Sequence, residues 1–329
     1  LAAVCRADAA RASEAEARFG VPCETSYEAL LARPDVDVVC ICTPSGQHAA
    51  QAIAAALAGK HILVEKPMAL TLADADAMIA ARRTAGVLLA VALQRRSDPV
   101  YHGVRAAIEA GALGRLTLGA VGVPYLRPQS YYDSAAWRGT WALDGGGALM
   151  NQGIHLLDLL LWYMGDAAEV QAAATTLTHA IEVEDCVTAT LRFESGALGV
   201  VSATTTAAPG FPHRVEIYGD RGGVQIEGEQ IVRWESVGGE TTKEQSGAER
   251  TYGKPSVAAG ETREPIAAGA GASPTGIGAA GHTRLISDLV SAIREGRAPL
   301  VPGEEGRRSL AVALAIYKAA RTGKATRVE

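Results

Sequence analysis

Residues 36–67, VDVVCICTPSGQHAAQAIAAALAGKHILVEKP, decide the fold of this 329-residue chain. Residues 36–42 form a run that is apolar except for Asp37 and ends at a Thr-Pro pair, which is typical of a parallel strand buried on both faces. An Ala-rich helical segment follows at residues 47–58, and residues 60–64 form a second apolar run. A strand, a helix and a strand at this spacing predict a right-handed βαβ unit and a parallel sheet.

The same alternation continues on both sides of this unit. A strand at residues 1–5 and a helix at 9–19 precede it, and a helix at 72–84 and a strand at 87–93 follow it. We therefore predict a doubly wound, Rossmann-like parallel sheet for residues 1–97. A dinucleotide-binding fold of this kind begins with a strand followed by GxGxxG, and we expect this first strand and its loop to be missing from the sequence.

Residues 98–329 follow a different pattern. Apolar runs joined by Gly-containing turns predict an open antiparallel sheet, with strands at residues 169–178, 186–193, 197–206, 213–218, 223–227 and 231–234. Helices are predicted at residues 99–110, 147–164, 282–295 and 304–320, and a Gly-, Ala- and Pro-rich surface loop at residues 253–281. The predicted architecture is therefore an α/β Rossmann-like domain followed by an α+β domain.

The composition excludes several classes of protein. Hydrophobic residues make up 48% of the chain and charged residues 20%, which excludes an intrinsically disordered protein. Asp and Glu (36) outnumber Lys and Arg (31), and the formal charge of −5 disfavours nucleic acid and anionic membranes as partners. No apolar stretch approaches the roughly 20 residues that a membrane span needs.

The cysteines show no spacing typical of a metal site, and we predict no bound metal. Cys40 and Cys42 alternate with apolar residues, so we expect both to be buried as small hydrophobic side chains. An odd number of cysteines in apolar runs favours a reducing compartment, and we expect the protein to be cytoplasmic.

Polar motifs follow the predicted parallel strands, where ligands bind on sheets of this type. The motifs are Arg6 after the first strand, Thr43-Pro44-Ser45-Gly46-Gln47-His48 after the second, and Glu65-Lys66-Pro67 after the third. Each motif alone has an ordinary structural explanation. A Thr-Pro pair often ends a strand, a His can cap the next helix, and a Glu-Lys pair is often only solvated.

Further motifs follow in order along the chain. They are Gln94-Arg95-Arg96 with Asp98-Pro99, Trp137-Arg138, GGGALMNQGIHLLD at residues 145–158, and Gly303-Glu304-Glu305-Gly306 before Ala315-Ile316-Tyr317. Together with the strand-end motifs, this ordered set resembles the glucose–fructose oxidoreductase/inositol dehydrogenase family, often written Gfo/Idh/MocA, over essentially the whole chain. The resemblance implies an NAD(P)-dependent dehydrogenase acting on the CH–OH group of a sugar, a sugar derivative or a polyol. It also implies that residues 98–329 bind the substrate and join subunits.

The resemblance places Lys66, Asn151 and His155 in the catalytic site. A Lys side chain has a pKa near 10.4, which partial burial would lower so that the amine can polarise the reacting oxygen or exchange a proton with it. The neutral imidazole of His155 could take the hydroxyl proton, and Asn151 lies four residues earlier on the same face of the predicted helix. A lone His in such an apolar helix would otherwise be a packed core residue.

Asn151 stands where the inositol dehydrogenase pattern has Asp. An amide can hydrogen-bond a substrate hydroxyl but carries no charge, so inositol becomes a less expected substrate and Asn151 would orient the substrate. Residues 125–132, which contain Tyr and Arg, are expected to contact substrate or to face solvent. The residues implied for cofactor binding are Arg6, Arg11, Thr43, Pro44, His48, Glu65, Lys66, Pro67, Gln94, Trp137 and Arg138.

The choice between NAD and NADP depends on the end of the first strand. An acidic residue there binds the ribose hydroxyls of NAD, whereas an Arg accommodates the extra phosphate of NADP. The chain has Arg6 at this point and Arg11 about one helical turn later, which favours NADP. Asp8 lies close enough in sequence to take the acidic role instead, and Arg6 could also be an ordinary surface residue.

Two alternative functions remain open from the sequence. One is a glycosidase that uses bound NAD as a redox shuttle, and the other is a non-catalytic family member that has lost cofactor binding. The moderately apolar open face of the predicted sheet favours a homo-oligomer, although the sequence also allows a monomer.

Overall fold

The computed structural model describes residues 1–236, 268–273 and 278–329. Its first part contains, in order, β1 (Val4–Cys5), α1 (Ala12–Phe19), β2 (Cys23–Glu24), α2 (Tyr27–Ala32), β3 (Val38–Ile41), α3 (His48–Leu57), β4 (His61–Val64), α4 (Leu72–Ala85) and β5 (Leu89–Val91). All pairings here are parallel, and within the described chain the strands form two sheets, β1-β2 and β3-β4-β5. The predicted Rossmann-type class is confirmed, but β2 and α2 were not predicted.

Local sequence sets the ends of α4. The Thr71 hydroxyl accepts a hydrogen bond from the backbone N–H of Asp74 at 3.1 Å, and Gly86 ends the helix with φ of +69°. The prediction that Cys40 and Cys42 are buried is wrong, since both are exposed. Only the opposite face of β3 is covered in the described chain, so the two thiols lie on its open side.

The second part is built around an eight-stranded sheet. Its elements are α5 (Pro99–Glu109), β6 (Leu116–Pro124), α6 (Gln129–Asp133), a π-helical turn (Ala148–Gly153), α7 (Ile154–Met164), β7 (Ala167–Thr175), β8 (Cys186–Phe193), β9 (Leu198–Thr204), β10 (Arg214–Gly219), β11 (Gly222–Glu227), β12 (Gln230–Ser236), α8 (Ala280–Glu295), α9 (Gly303–Thr322) and β13 (Thr326–Arg327). The strand order is β12-β11-β10-β6-β9-β8-β7-β13. The predicted α+β class is confirmed, and most of the predicted loop at residues 253–281 lies outside the described residues.

The prediction of a purely antiparallel sheet needs one correction. β6 was not predicted, because its two glycines and its terminal proline obscure the strand pattern, and it pairs with β9 in parallel. A Cβ atom on Gly119 would lie 2.6 Å from Leu160 Cδ1, so the glycine allows α7 to pack closely on the sheet. Nearly every residue of α7 is buried, yet no described helix is both long and apolar enough to cross a bilayer.

A buried ion pair joins the two parts of the chain. Arg96, just after β5, donates two hydrogen bonds of 2.7 Å to the carboxylate of Asp158 on α7. The same guanidinium donates to Glu305 at 2.8 Å, and the Ser309 hydroxyl donates to Asp158 at 2.7 Å, so α9 is tied to the same point. This bidentate network fixes the strand-end loops of the first part against α7.

Candidate active site

A cavity of about 700 Å³ is lined by residues that directly follow β3, β4 and β5 and by residues of the second part of the chain. The sequence-predicted residues that line it are Thr43, His48, Glu65, Lys66, Gln94, Trp137, Arg138, Asn151 and His155. The predicted residues outside its described lining are Arg6, Arg11, Pro44 and Pro67. The structure therefore brings the predicted catalytic residues together from both parts of the chain.

Lys66 reaches into the second part of the chain. Its ammonium donates hydrogen bonds to the backbone oxygen of Asn151 at 2.7 Å and to Asn151 Oδ1 at 3.1 Å. Burial lowers the pKa of Lys66 below its ordinary value, although the carboxylates of Glu65 and Asp144 act in the opposite direction. This is the environment in which a Lys can exchange a proton closer to neutral pH.

Asn151 and His155 lie on consecutive turns, but the local helix differs from the prediction. Residues Ala148–Gly153 form a π-helical turn, and α7 begins only at Ile154. His155 is 8% exposed, and its Nδ1 has no hydrogen-bond partner among the described residues. Burial, reinforced by the charge of Lys66, places the pKa of His155 well below its ordinary value, so the imidazole is neutral at pH 7.

The glycine run ahead of this turn serves close packing. A Cβ atom on Gly147 would lie 1.8 Å from the backbone oxygen of Glu184, which no side chain tolerates. The Glu184 carboxylate accepts hydrogen bonds from the N–H groups of Gly147 (3.0 Å) and Leu149 (2.9 Å) and from the Tyr317 hydroxyl (2.9 Å). These contacts hold the start of the turn and thereby set the position of Asn151.

Asp144 supports Asn151 from behind. Asn151 Nδ2 donates to Asp144 Oδ1 at 2.9 Å, and the backbone N–H of Gly139 donates to Asp144 Oδ2 at 2.9 Å. Burial raises the pKa of Asp144, while the Gly139 N–H and the Lys66 charge oppose this shift. The sequence analysis did not identify Asp144. The motif that follows it was recognised by its glycines, and a single carboxylate shows no spacing that is typical of a site.

His48 connects two of the strand-end loops. Its Nδ1 lies 2.8 Å from the backbone oxygen of Pro67, and its Nε2 lies 2.9 Å from that of Thr43. The side chain is 1% exposed, and the Lys66–Pro67 peptide bond beside it is cis. The ring therefore holds the Lys66 loop against the loop after β3. The contact of His48 with the cofactor stays a prediction.

Several lining residues were not named individually as site residues in the sequence-based prediction. Tyr125, Arg127 and Tyr131 line the cavity from the segment expected to contact substrate or solvent. The further residues are Arg95, Tyr101, His213, Glu229 and His282, which come from separate elements and become neighbours only in the folded chain. Two pairs among them are close, since the Tyr101 hydroxyl lies 2.8 Å from His213 Nε2 and His282 Nε2 lies 3.0 Å from Glu65 Oε1.

Several polar atoms in the cavity lining are available to bind a ligand. The buried atoms without a hydrogen-bond partner in the described chain include Gln94 Oε1, Arg127 Nε, Arg138 Nε, Gln152 Oε1 and His155 Nδ1, all from residues that line the cavity. Burying such atoms unpaired is costly, and a polar ligand would satisfy them. Together with the flat side chain of Trp137, this lining fits the nicotinamide end of a dinucleotide beside a sugar.

The described residues contain no group of three or more His, Cys, Asp or Glu side chains placed to hold a metal ion. Parallel strand ends, a partly buried Lys and a neutral His facing one polar cavity define a nicotinamide-dependent oxidoreductase.

Two sequence families match the chain. Residues 1–93 match the oxidoreductase family with an NAD-binding Rossmann fold, and residues 101–225 match the GFO/IDH/MocA C-terminal domain. The chain therefore belongs to the Gfo/Idh/MocA oxidoreductase family, as the motifs predicted.

Named relatives support the same class. The 1,5-anhydro-D-fructose reductase of Ensifer adhaerens is 34% identical over 314 residues, which cover 93% of this chain and 84% of the relative. The levoglucosan dehydrogenase of Pseudarthrobacter phenanthrenivorans is 31% identical over 314 residues, which cover 87% of this chain and 78% of the relative. The predicted enzyme class, a dehydrogenase or reductase of sugars and polyols, is confirmed.

Solved structures agree over the full chain. The WlbA dehydrogenase from Bordetella pertussis, in complex with NADH and UDP-GlcNAcA, has a TM-score of 0.84 and 33% identity, and the match covers 100% of this chain and 90% of that one. A levoglucosan dehydrogenase in complex with NADH and levoglucosan has a TM-score of 0.82 and 28% identity, with 100% and 90% coverage. A nicotinamide cofactor is thus supported by proteins of the same fold.

The variant His48→Phe tests the bridging role of His48. It keeps an aromatic ring but removes the N–H that, in the neutral imidazole, donates to one of the two backbone oxygens of Thr43 and Pro67. We expect the free energy of unfolding, measured with urea, to fall by about 1–3 kcal/mol, the usual cost of a buried group left without its hydrogen-bond partner. His48→Gln is the matched control, because its amide supplies two donors and should recover part of the loss. Equal losses in both variants would contradict the bridging role.

Proposed function

We propose that this chain transfers a hydride between a nicotinamide cofactor and a hydroxyl- or keto-bearing carbon of a sugar, a sugar derivative or a polyol. The observation that carries the proposal is the convergence of Lys66, Asn151 and His155 on one polar cavity at the carboxyl ends of β3, β4 and β5. Relatives named for 1,5-anhydro-D-fructose and levoglucosan support the substrate class.

The proposed mechanism divides the proton transfer between two residues. When bound, the nicotinamide ring accepts or supplies the hydride. In the oxidation direction the neutral imidazole of His155 takes the proton of the substrate hydroxyl, for which its low pKa leaves it unprotonated. The Lys66 ammonium donates a hydrogen bond to the reacting oxygen, and the Asn151 amide orients the group. In the reduction direction the proton returns from His155 or Lys66 to the carbonyl oxygen.

We propose a division of labour at residues 97 and 98. Residues 1–97 hold the cofactor, and residues 98–329 hold the substrate and join subunits. The matched family ranges, 1–93 and 101–225, leave room for this boundary and support it. Within the cavity, Thr43, Glu65, Gln94, Trp137 and Arg138 would contact the nicotinamide end of the cofactor.

The variant Lys66→Met tests the catalytic assignment. It removes the ammonium while keeping a side chain of similar length. We expect kcat to fall by about 10²–10⁴-fold, because the reacting oxygen loses its proton donor, while the cofactor Kd changes by less than about tenfold. Absorbance at 340 nm with a panel of sugars and polyols measures the rate, and calorimetry measures cofactor binding.

Lys60→Met is the control for this experiment. Lys60 lies in the same part of the chain, and its ammonium donates to the backbone oxygen of Arg33 at 2.9 Å, so its loss should leave kcat unchanged. Retained activity in Lys66→Met would exclude the catalytic role. Release of a leaving group without net cofactor reduction would support the redox-shuttle glycosidase, and absence of cofactor binding would support a non-catalytic protein.

We propose that Arg6 favours NADP(H) over NAD(H). Arg6 has no ion-pair partner in the described chain, whereas Asp8 is engaged in accepting a hydrogen bond from the backbone N–H of Ala10 at 3.0 Å. This leaves the guanidinium available for the additional phosphate of NADP. These two solved relatives contain NADH, so the preference for NADP rests on Arg6 and Arg11, and Arg11 is paired with Glu14 at 3.3 Å.

The variant Arg6→Asp tests this preference. The unmodified chain should bind NADP⁺ more tightly than NAD⁺ by about 10–100-fold, since a charged hydrogen bond contributes roughly 1.5–3 kcal/mol. Arg6→Asp should reverse the order in calorimetric titrations. Arg18→Asp, which changes an exposed Arg on α1, should not alter the ratio. An unchanged ratio in Arg6→Asp would assign cofactor choice to another residue.

We propose that the open face of the sheet binds a second copy of this chain. Leu118 on β6 and Leu198 on β9 are paired neighbours, and both are exposed, as is Val200 two residues along β9. This apolar patch lies on the two central strands that pair in parallel, and Arg192 and Tyr218 pair with its two leucines on the adjoining strands. Exposed apolar patches on sheets are commonly covered by a subunit.

Sedimentation of Val200→Arg tests the oligomer. A buried charge without a partner would open the interface, so we expect the unmodified protein to sediment as a dimer or larger assembly and the variant as a monomer. Ile286→Arg on α8 is the control, since it changes an exposed apolar residue on a different element. A monomeric unmodified protein would contradict the proposal.

We also propose that the protein works in a reducing compartment such as the cytoplasm. All five cysteines are free thiols, which supports this location.

A further inference from the structure

A chain of hydrogen bonds connects Lys66 to a buried carboxylate that is not adjacent to it. The Lys66 ammonium donates to Asn151 Oδ1 at 3.1 Å, and the other end of the same amide, Nδ2, donates to Asp144 Oδ1 at 2.9 Å. The second carboxylate oxygen, Oδ2, accepts from the backbone N–H of Gly139 at 2.9 Å. The order of groups is therefore ammonium, amide and carboxylate.

Two N–H donors point at the side chain of residue 144, so this side chain must supply two acceptor oxygens. Both of its oxygens receive an N–H donor, one from Gly139 and one from Asn151. An amide at position 144 has a single oxygen, so one of the two donors would face an NH₂ group. Asn151 would then turn over and present its own NH₂ group to the Lys66 ammonium. The carboxylate thus fixes which end of the Asn151 amide faces Lys66.

The charge of Asp144 is also not neutralised by a direct ion pair. Asp144 is 3% exposed, and it makes no salt bridge with any described residue. Glu65, the other carboxylate near Lys66, is already held by His282 at 3.0 Å and by the Lys66 backbone N–H at 3.2 Å. Both carboxylates raise the pKa of Lys66, Glu65 more than Asp144, but only Asp144 is also hydrogen-bonded to the Asn151 amide that Lys66 contacts.

The charged and titratable groups that surround Lys66 are mostly basic. The anions are Glu65 and Asp144, and the basic groups are His48, Arg127, Arg138, His155 and His282. In a site with this excess of basic groups, loss of one carboxylate shifts the balance against a protonated Lys.

We propose that Asp144 is a positioning residue for proton transfer: it orients the Asn151 amide and, together with Glu65, supplies the negative charge that keeps the Lys66 ammonium protonated inside the cavity. Asn151 carries no charge. Asp144 places a negative charge one hydrogen bond further from the Lys66 ammonium. The inference rests on the proposed function, since it assigns Asp144 a purpose in the chemistry of Lys66. It also specifies a property of Lys66 that can be measured without turnover.

Competitive acetylation followed by mass spectrometry tests the proposal. The pH dependence of Lys66 labelling reports the protonation of its amine, and the exposed Lys318 in the same sample is the internal reference. We expect Asp144→Asn to lower the Lys66 labelling midpoint by about one pH unit, because removal of a nearby opposite charge favours the neutral amine. The Lys318 midpoint should not move.

A paired substitution provides the rescue. Asp144→Asn combined with Asn151→Asp exchanges the amide and the carboxylate, so that one negative charge remains in the chain and now contacts Lys66 directly. We expect the labelling midpoint to return to the original value or to exceed it. A role for Asp144 in packing alone predicts an unchanged Lys66 midpoint in Asp144→Asn, and this result would overturn the proposal.

Activity measurements distinguish a failure of the proposed function from a failure of the role proposed for Asp144. In the reduction direction, the alkaline limb of the kcat profile of Asp144→Asn should move to lower pH in parallel with the labelling midpoint. If Lys66→Met keeps full activity, the proposed function fails whatever Asp144 does. If Lys66→Met is inactive but Asp144→Asn leaves both the labelling midpoint and the pH profile unchanged, only the present inference fails. Asp144→Ser is a smaller uncharged replacement for use if Asp144→Asn does not fold, as judged by circular dichroism.

Discussion

The contact between the Lys66 ammonium and Asn151 is the interaction on which the whole site depends. One partner follows a strand of the Rossmann-type sheet, and the other lies in the turn that leads into α7. A charged group at the end of a long flexible side chain loses conformational freedom when it is held in this way. The structure offsets that cost with two oxygens from a single residue, so that the amine is directed to one point in the cavity.

Much of the rigidity around this contact comes from backbone groups. Glu184 holds the start of the π-helical turn through the N–H groups of Gly147 and Leu149, and His48 spans two loop carbonyls. The unpaired polar atoms, in contrast, are concentrated among the residues that line the cavity. Such a division is expected of an enzyme, in which groups prepared for a ligand are arranged before the ligand arrives.

The sequence predicted the parts of the fold and the site that depend on local pattern. The βαβ alternation could be identified from spacing, whereas the assignment of Lys66 after its strand and of His155 in an apolar helix depended on the resemblance to a known family. β6 was missed because Gly119 and Gly122 interrupt its apolar pattern, and the π-helical turn was missed because its sequence resembles that of an ordinary helix. Cys40 was assigned to the wrong environment, since alternation cannot show which face of a strand is covered. Glu184 acquires its role only through partners distant along the chain, and Asp144 acquires its role through Asn151, whose amide contacts the distant Lys66.

The buried pair of Arg96 and Asp158 limits how this enzyme can open. It lies at the junction between the two parts and contributes charged, bidentate hydrogen bonds in a setting with almost no solvent. Rotating one part away from the other would break these charge-assisted hydrogen bonds and separate two oppositely charged groups. The pair therefore stabilises the arrangement in which the loops after the parallel strands and α7 face each other across the cavity.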